Sequence, residues 1–254
     1  MQTPITPNNW PYPLWVAHRG GGALAPENTL AAFATGHRHG FRMAEFDVKL
    51  SADNIALLLH DDDLPRTAGR SGMAKEMSAA ELTAVDVSVG HPSFAGTTIP
   101  TLAHIADFCL SHGMAANIEI KPCIGRDAET AELVAAAAQQ LWQGAALPPL
   151  FSSFSTVALA ALQAAFPHSR RGLLIEEWPA DHASLLAQLA SLDCMALHVP
   201  DSGTDAERIA FFQAAGYAVL VWTVNDMARA QQLIDWGVNG VITDAVDRVF
   251  SAQP

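Results

Sequence analysis

Short apolar runs alternate along the chain with longer, Ala-rich stretches whose apolar residues recur at helical spacing. The runs at 14–17, 42–48, 115–120, 149–152, 171–175, 194–198, 218–222 and 239–242 read as strands. Between them, 27–39, 101–112, 128–142, 155–165, 181–190, 204–215 and 226–236 read as helices, several opening on a Ser, Thr or Asp suited to cap the first turn. Parallel strands joined by crossover helices follow from that rhythm, and eight of them predict a TIM-type (β/α)8 barrel. Such barrels commonly fill ~250 residues as one unit, so 1–254 reads as a single domain.

One apolar run, Ile55–Leu59, breaks the rhythm. Only Ser51 to Asn54 separate it from the second strand, too few for a crossover helix, so it must return as a hairpin. A two-residue turn at Asp53-Asn54 would set His60 opposite Asp47, folding a histidine over the carboxyl end of a barrel strand, where barrel active sites lie. Residues 61–100, rich in Gly, Ser, Thr and Pro, read as a small insertion on that same face.

Half the residues are hydrophobic and 16% are charged, which excludes a disordered or collagenous polymer. Fourteen Lys and Arg against 26 Asp and Glu leave a net charge of −12 with no basic cluster, which argues against a nucleic-acid partner and stable association with an anionic membrane. A small anion is not excluded, because a few cations or a metal reverse the field locally. No basic leader, no signal-like apolar segment and no run near ~18 apolar residues is present, and Cys109, Cys123 and Cys194 are odd in number and scattered. A cytoplasmic protein with free thiols is expected; composition and pattern leave the oligomeric state open.

Glu45 and Asp47, two apart on one strand, point the same way, and Glu119 nears the end of another. Three carboxylates converging at a barrel mouth repel one another unless a divalent cation neutralises them, and all-oxygen ligation favours Mg²⁺ or Ca²⁺ over zinc. Lys121 shares the direction of Glu119, and Arg19 follows the first strand; they are salt-bridge partners of these carboxylates or, with a metal, the walls of a phosphate site. His18 and His60, each at a strand end beside a Gly-rich or Asp-rich loop, are the candidate general acid and base. His198 ends a further strand and is within reach of the same mouth, and Trp222 either packs in the core or forms a flat wall for a substrate. The Gly20-Gly21-Gly22 loop has the wrong spacing for a dinucleotide site; it reads as a close backbone approach to a ligand, with Glu27 or Asn28 capping or ordering the loop. Glu27 is on that account a candidate substrate-side residue, together with His198 and Trp222.

In order and spacing, HRGGGALAPENT at 18–29, EFDVKLSADN at 45–54, HDDDLPRT at 60–67, IPTL at 99–102, NIEIKP at 117–122, SSF at 152–154, WTVND at 222–226 and GVITD at 240–244 resemble the glycerophosphodiester phosphodiesterase family, in particular its short cytoplasmic bacterial members. The resemblance implies a TIM barrel with a small insertion after the second strand. It also implies His18 and His60 as acid–base pair, Glu45, Asp47 and Glu119 as ligands of a divalent metal, and Arg19 and Lys121 on phosphate, with Glu27 and Asn28 shaping the first loop. The expected activity is metal-dependent hydrolysis of a small-molecule phosphodiester, such as glycerophosphocholine or glycerophosphoethanolamine, to sn-glycerol 3-phosphate and an alcohol. Ala68 and Ala103-His104 depart from the family pattern, away from the expected ligands. Competing readings are a lysophospholipase D-like phosphodiesterase on the same barrel and a phosphodiester-binding protein without catalysis; the first requires an apolar lip for an acyl chain, the second the loss of a histidine or metal carboxylate.

Overall fold

Each apolar run of the sequence forms a strand within two residues of its expected bounds. In the computed structural model, which describes residues 7–250, these are β1 (Trp15–Ala17), β2 (Met43–Leu50), β4 (Ala115–Ile120), β5 (Leu150–Ser153), β6 (Arg170–Leu174), β7 (Ala196–Pro200), β8 (Ala218–Trp222) and β9 (Gly240–Thr243), with β3 (Ala56–Leu58) as the hairpin return. The ends of the 1–254 reading, residues 1–6 and 251–254, lie outside the described residues. All strands but β3 pair in parallel, and β1 closes the ring by pairing with both β9 and β2. The result is the expected (β/α)8 barrel.

Helices α1 (Leu30–Arg38), α4 (Leu102–His112), α5 (Asp127–Leu141), α6 (Thr156–Ala165), α7 (His182–Ser191), α8 (Ala206–Ala214) and α9 (Met227–Asp235) pack outside it, while α2 (Pro65–Ala68) and α3 (Ala79–Thr83) belong to the insertion. Thr29, Thr101, Ser155, Asp181, Asp205 and Asp226 cap α1, α4, α6, α7, α8 and α9 through side-chain oxygens that accept first-turn N–H groups. The α1 cap is therefore Thr29, not Glu27 or Asn28. No helix among the described residues is long and apolar enough to cross a membrane.

Strand alternation divides the core into two shells. Phe46, Val48, Ile118 and Ile120 face outward against Phe33, Leu102, Ile105 and Val134. The inward positions at the lower end, Met43, Ala115, Leu150, Ala196, Ala218, Leu220 and Ile242, meet Tyr12 and Val16 and plug the barrel. The sequence becomes polar above that plug.

The hairpin register differs from expectation by one residue. Val48 faces Leu58, Lys49 faces Leu57 and Leu50 faces Ala56, so Asp47 lies opposite Leu59, whose N–H donates to its carbonyl at 3.2 Å, and not opposite His60. The cause is a loop one residue longer: Asn54 N–H donates to Ser51 O at 3.1 Å and Asn54 takes a left-handed φ of 64°, the three-residue turn that Asn tolerates. Leu57 and Leu59 consequently enter a small apolar cluster with Leu64, Leu82, Val85, Val87 and Ile99, so the insertion has packing of its own.

Arg171 at the start of β6 is 1% exposed. Its guanidinium donates to Phe166 O and Ser169 O beyond α6, to Leu192 O beyond α7, and to the Asp193 carboxylate at 2.6 Å, closing carbonyls that two helix ends leave open. Arg171→Met keeps most of the volume and deletes every donor. It is expected to destabilise the protein by about 3 kcal/mol or more in urea unfolding.

Candidate active site

The carboxyl ends of β2 and β4 bring the three acids together. Asp47 and Glu119 are register partners, and Glu45 precedes Asp47 by one inward position. All three are buried, and each offers an oxygen within 4.8 Å of the others. Burial works against ionisation of Asp47, yet the charges of Lys121 and Arg19 outweigh it and hold that carboxyl down at about 2. Burial, then the Asp47 charge, pushes Glu45 up to about 7 and Glu119 up to about 8. Three buried oxygen donors converging on one point, two of them reluctant to ionise beside the third, fit a hard divalent cation, which would relieve the repulsion.

Both expected cations are present. Lys121 Nζ lies 3.0 Å from Glu119 Oε1 and 3.4 Å from Asp47 Oδ1, and Arg19 Nε lies 3.7 Å from Asp47 Oδ2. Arg19 takes a left-handed φ of 49°, with its backbone N–H donating to Glu45 Oε2 at 3.2 Å. Each histidine is held through Nδ1 by an aspartate at 2.7 Å: His18 by Asp244 and His60 by Asp61. Their Nε2 atoms therefore face the acids and cations. His18 Nε2 is 3.8 Å from Glu45 Oε2, and His60 Nε2 is 2.9 Å from Lys121 Nζ. An ammonium can only donate, so His60 Nε2 accepts and that ring is neutral. Burial, assisted by Arg19 and Lys121, pulls the His60 pKa below its usual value. For His18, burial acts in the same direction but is outweighed by the bonded Asp244 and the charge of Glu45, and its pKa is raised.

A second set of residues was not singled out for these positions by sequence reasoning. Asn28 Nδ2 donates to Asp47 Oδ2 at 2.8 Å while its Oδ1 accepts the Asp47 N–H at 3.1 Å, fixing a carboxylate of the triad from two sides. Arg66, from the insertion, makes two 2.7 Å bonds to Glu27 and a third to Asp61, while Glu27 also accepts from Arg19 at 2.8 Å. The insertion thus ties Arg19 to the aspartate that orients His60. Lys49, 1% exposed, donates to His60 O at 3.0 Å and Asp62 Oδ1 at 2.8 Å. Asp244 is braced by Asn225, whose Nδ2 donates to it at 3.2 Å. The available signal was a carboxylate immediately after His60 and another just past the last strand, in the motifs HDDDLPRT and GVITD. The glycine loop packs against the protein itself: Gly22 has φ 56°, and a Cβ there would overlap the Asp244 carbonyl.

These groups open into a cavity of about 350 Å³. His18, Arg19, His60 and Lys121 line its charged side, with the three acids between them; Phe154, Leu174, Trp222 and Ile242 line the other, with Glu176 at the exposed rim. Trp222 meets Phe154 edge-to-face at 5.6 Å, so it forms a wall of the cavity. Ser152 and His198 are lining residues with no exposed surface. Glu27 does not line this cavity; the two arginines occupy its oxygens. A larger cleft, about 540 Å³, lies between α5 and α6 beside the strand starts, but it holds no acid–base pair or acidic cluster. The histidines, the cations and the acidic triad line the smaller one.

The Glycerophosphoryl diester phosphodiesterase family profile matches residues 18–248. A glycerophosphodiester phosphodiesterase of Caldanaerobacter subterraneus subsp. tengcongensis is 29% identical over 91% of this chain and 93% of its own. Among solved structures, an Oleispira antarctica phosphodiesterase in complex with the product sn-glycerol-3-phosphate is 36% identical, with a TM-score of 0.86 over 95% of this chain and 96% of that one. A glycerophosphodiester phosphodiesterase from Agrobacterium tumefaciens is 26% identical, with a TM-score of 0.77 over 92% of this chain and 97% of that one. With its barrel and its His, Glu and Asp constellation, this chain belongs to the glycerophosphoryl diester phosphodiesterase family.

Proposed function

We propose that this protein hydrolyses glycerophosphodiesters such as glycerophosphocholine and glycerophosphoethanolamine to sn-glycerol 3-phosphate and the free alcohol, with His18 and His60 as acid and base and Mg²⁺ or Ca²⁺ held by Glu45, Asp47 and Glu119. The observation that carries the reading is the pair of aspartate-anchored histidines whose Nε2 atoms face one buried acidic triad flanked by Arg19 and Lys121. Every side chain the proposed chemistry uses is present, both histidines and all three carboxylates, which favours an enzyme over a binding protein. The product in the Oleispira relative supports the substrate class. The buried, unpaired Cys109, Cys123 and Cys194 agree with a reducing, cytoplasmic setting.

Arg19 and Lys121 take the phosphate, and Lys121 leaves His60 for it. His60 Nε2, with its lone pair free, accepts the proton of the attacking glycerol hydroxyl while Asp61 steadies the imidazolium. His18, holding its proton through Asp244, passes it from Nε2 to the departing alkoxide. The cyclic ester so formed opens with water as the two histidines exchange roles. A bound divalent cation supplies Lewis-acid charge neutralisation to this centre. Negative charge growing on phosphorus oxygens meets preorganised donors in a partly enclosed site, where they act most strongly.

Purified protein given glycerophosphocholine and Mg²⁺ or Ca²⁺ is expected to release sn-glycerol 3-phosphate, read through its dehydrogenase, and to stop when a chelator is added. Continued release in chelator would remove the metal from the reading. His18→Ala and His60→Ala are each expected to lower kcat by roughly 10²–10⁴ with the fold intact by circular dichroism. Asp244 is a positioning residue, so Asp244→Asn acts through His18: kcat falls, KM stays within about threefold, and the alkaline limb of the pH–rate profile moves down. The sign follows because Asp244 is the principal group raising the His18 pKa, and a lowered pKa surrenders the acid's proton at lower pH. An unmoved alkaline limb would detach Asp244 from the acid.

A further inference from the structure

The cations and the acidic triad of the cavity come from one side of the barrel: Arg19 follows β1, Glu45 and Asp47 lie on β2, and Glu119 and Lys121 lie on and just past β4. The ring order β1-β9-β8-β7-β6-β5-β4-β2 puts β5, β6 and β8 on the other side. Their ends supply Phe154, one residue past β5, Glu176, two past β6, and Trp222, the last residue of β8. The Phe154 and Trp222 rings meet edge-to-face at 5.6 Å although two strands separate β5 from β8. Glu176, exposed at the rim, differs from the other carboxylates of the cavity. Glu45 accepts the Arg19 N–H, Asp47 is met by Arg19, Lys121 and Asn28, and Glu119 by Lys121. Glu176 has no hydrogen-bond or ion-pair partner among the described residues.

A phosphodiester anchored on Arg19 and Lys121 must let its alcohol depart to solvent. On the side away from those cations, the alcohol runs past two aromatic rings to one unpaired carboxylate. Aromatic faces attract cations, quaternary ammonium groups among them. Phe154 already does so, with Lys121 Nζ 5.5 Å from its ring centroid. Once phosphate neutralises Lys121, that ammonium no longer opposes a second cation nearby. We infer that Glu176, Phe154 and Trp222 form an ammonium subsite for the departing alcohol, so that the enzyme prefers zwitterionic diesters with a choline or ethanolamine head group. This rests on the proposed phosphodiesterase activity and ranks its substrates by the charge of their alcohol. The overall field acts in the same direction. A zwitterion has no net charge for a protein of net charge −12 to repel, whereas glycerophosphoglycerol is an anion and glycerophosphoserine sets a second carboxylate beside Glu176.

The test measures kcat/KM for glycerophosphocholine, glycerophosphoethanolamine, glycerophosphoglycerol and glycerophosphoserine. An exposed ion pair and a cation–π contact together give a preference of roughly tenfold, so the choline and ethanolamine diesters are expected to exceed glycerophosphoglycerol by about that factor. Glycerophosphoserine is expected to fall to the level of glycerophosphoglycerol or below it. Glu176→Gln is expected to narrow the preference to within about threefold, and Glu176→Lys to abolish or invert it. Phe154→Leu keeps an apolar wall and removes a π face, and is expected to lower the choline diester several-fold relative to glycerophosphoglycerol. Added salt should narrow the preference more in the wild type than in Glu176→Gln, because it screens an exposed charge. Equal turnover of the four diesters by the wild type, or a preference untouched by both Glu176 variants, would overturn the ammonium subsite while the phosphodiesterase reading stands. No hydrolysis of any diester would overturn both.

Discussion

Three carboxylates share a volume in which three negative charges cannot coexist without a cation. Glu45, Asp47 and Glu119 are buried at the mouth of the barrel, with ligating oxygens within 4.8 Å of one another. Most of what surrounds them answers that constraint. Lys121 and Arg19 keep Asp47 ionised, Asn28 holds it from the side and from its own backbone, and burial with the neighbouring charge leaves Glu45 and Glu119 reluctant to ionise. The cations serve a second purpose, since groups that offset carboxylates in the resting protein are those a phosphate would engage. A net charge of −12 is in this way compatible with two cations gathered at the mouth.

The two histidines show how precision is added to that centre. Each is fixed by an aspartate on Nδ1, but the aspartates come from different places: Asp61 adjoins His60 in the insertion, and Asp244 follows the last strand and reaches His18 across the barrel closure. Arg66 couples Asp61 to Glu27 and so to Arg19, while Gly22 lets the first loop lie against Asp244. Loops from both ends of the sequence thus meet over one cavity. This gives the insertion a structural task as well as a covering one, because a group on its short α2 helix helps set the direction of a ring on the barrel.

The charged groups share the cavity with uncharged polar and apolar ones. Ser152, the register partner of Glu119, and His198 line the same cavity as the acids, and Gly172 leaves space for the imidazole that a side chain there would fill.

Much of this was legible in the residues. Period-2 and helical patterns located every barrel strand and the helices between them, since burial on one face must repeat along an element wherever it lies in the fold. Glu45, Asp47, Glu119, Arg19, Lys121, His18 and His60 were recognisable because strand ends have one address in a barrel. The Asp47–His60 register was missed because a turn with one more residue, closed by Asn54 in the left-handed region, has nearly the same composition as the shorter turn. Glu27 reads from the sequence as a substrate-side residue, whereas Arg19 and Arg66 claim it; Asp244, Asn28, Lys49 and Arg66 have partners far away in the chain or across a loop, which no local pattern reveals. The sequence by itself determined the barrel, its chemistry-bearing strand ends and the family, all carried by local periodicity and motif. The tertiary structure alone decided which carboxylate orients which histidine and which buried polar groups stay unpartnered, His198 among them, because hydrogen-bond partners are chosen by distance in space and not along the chain.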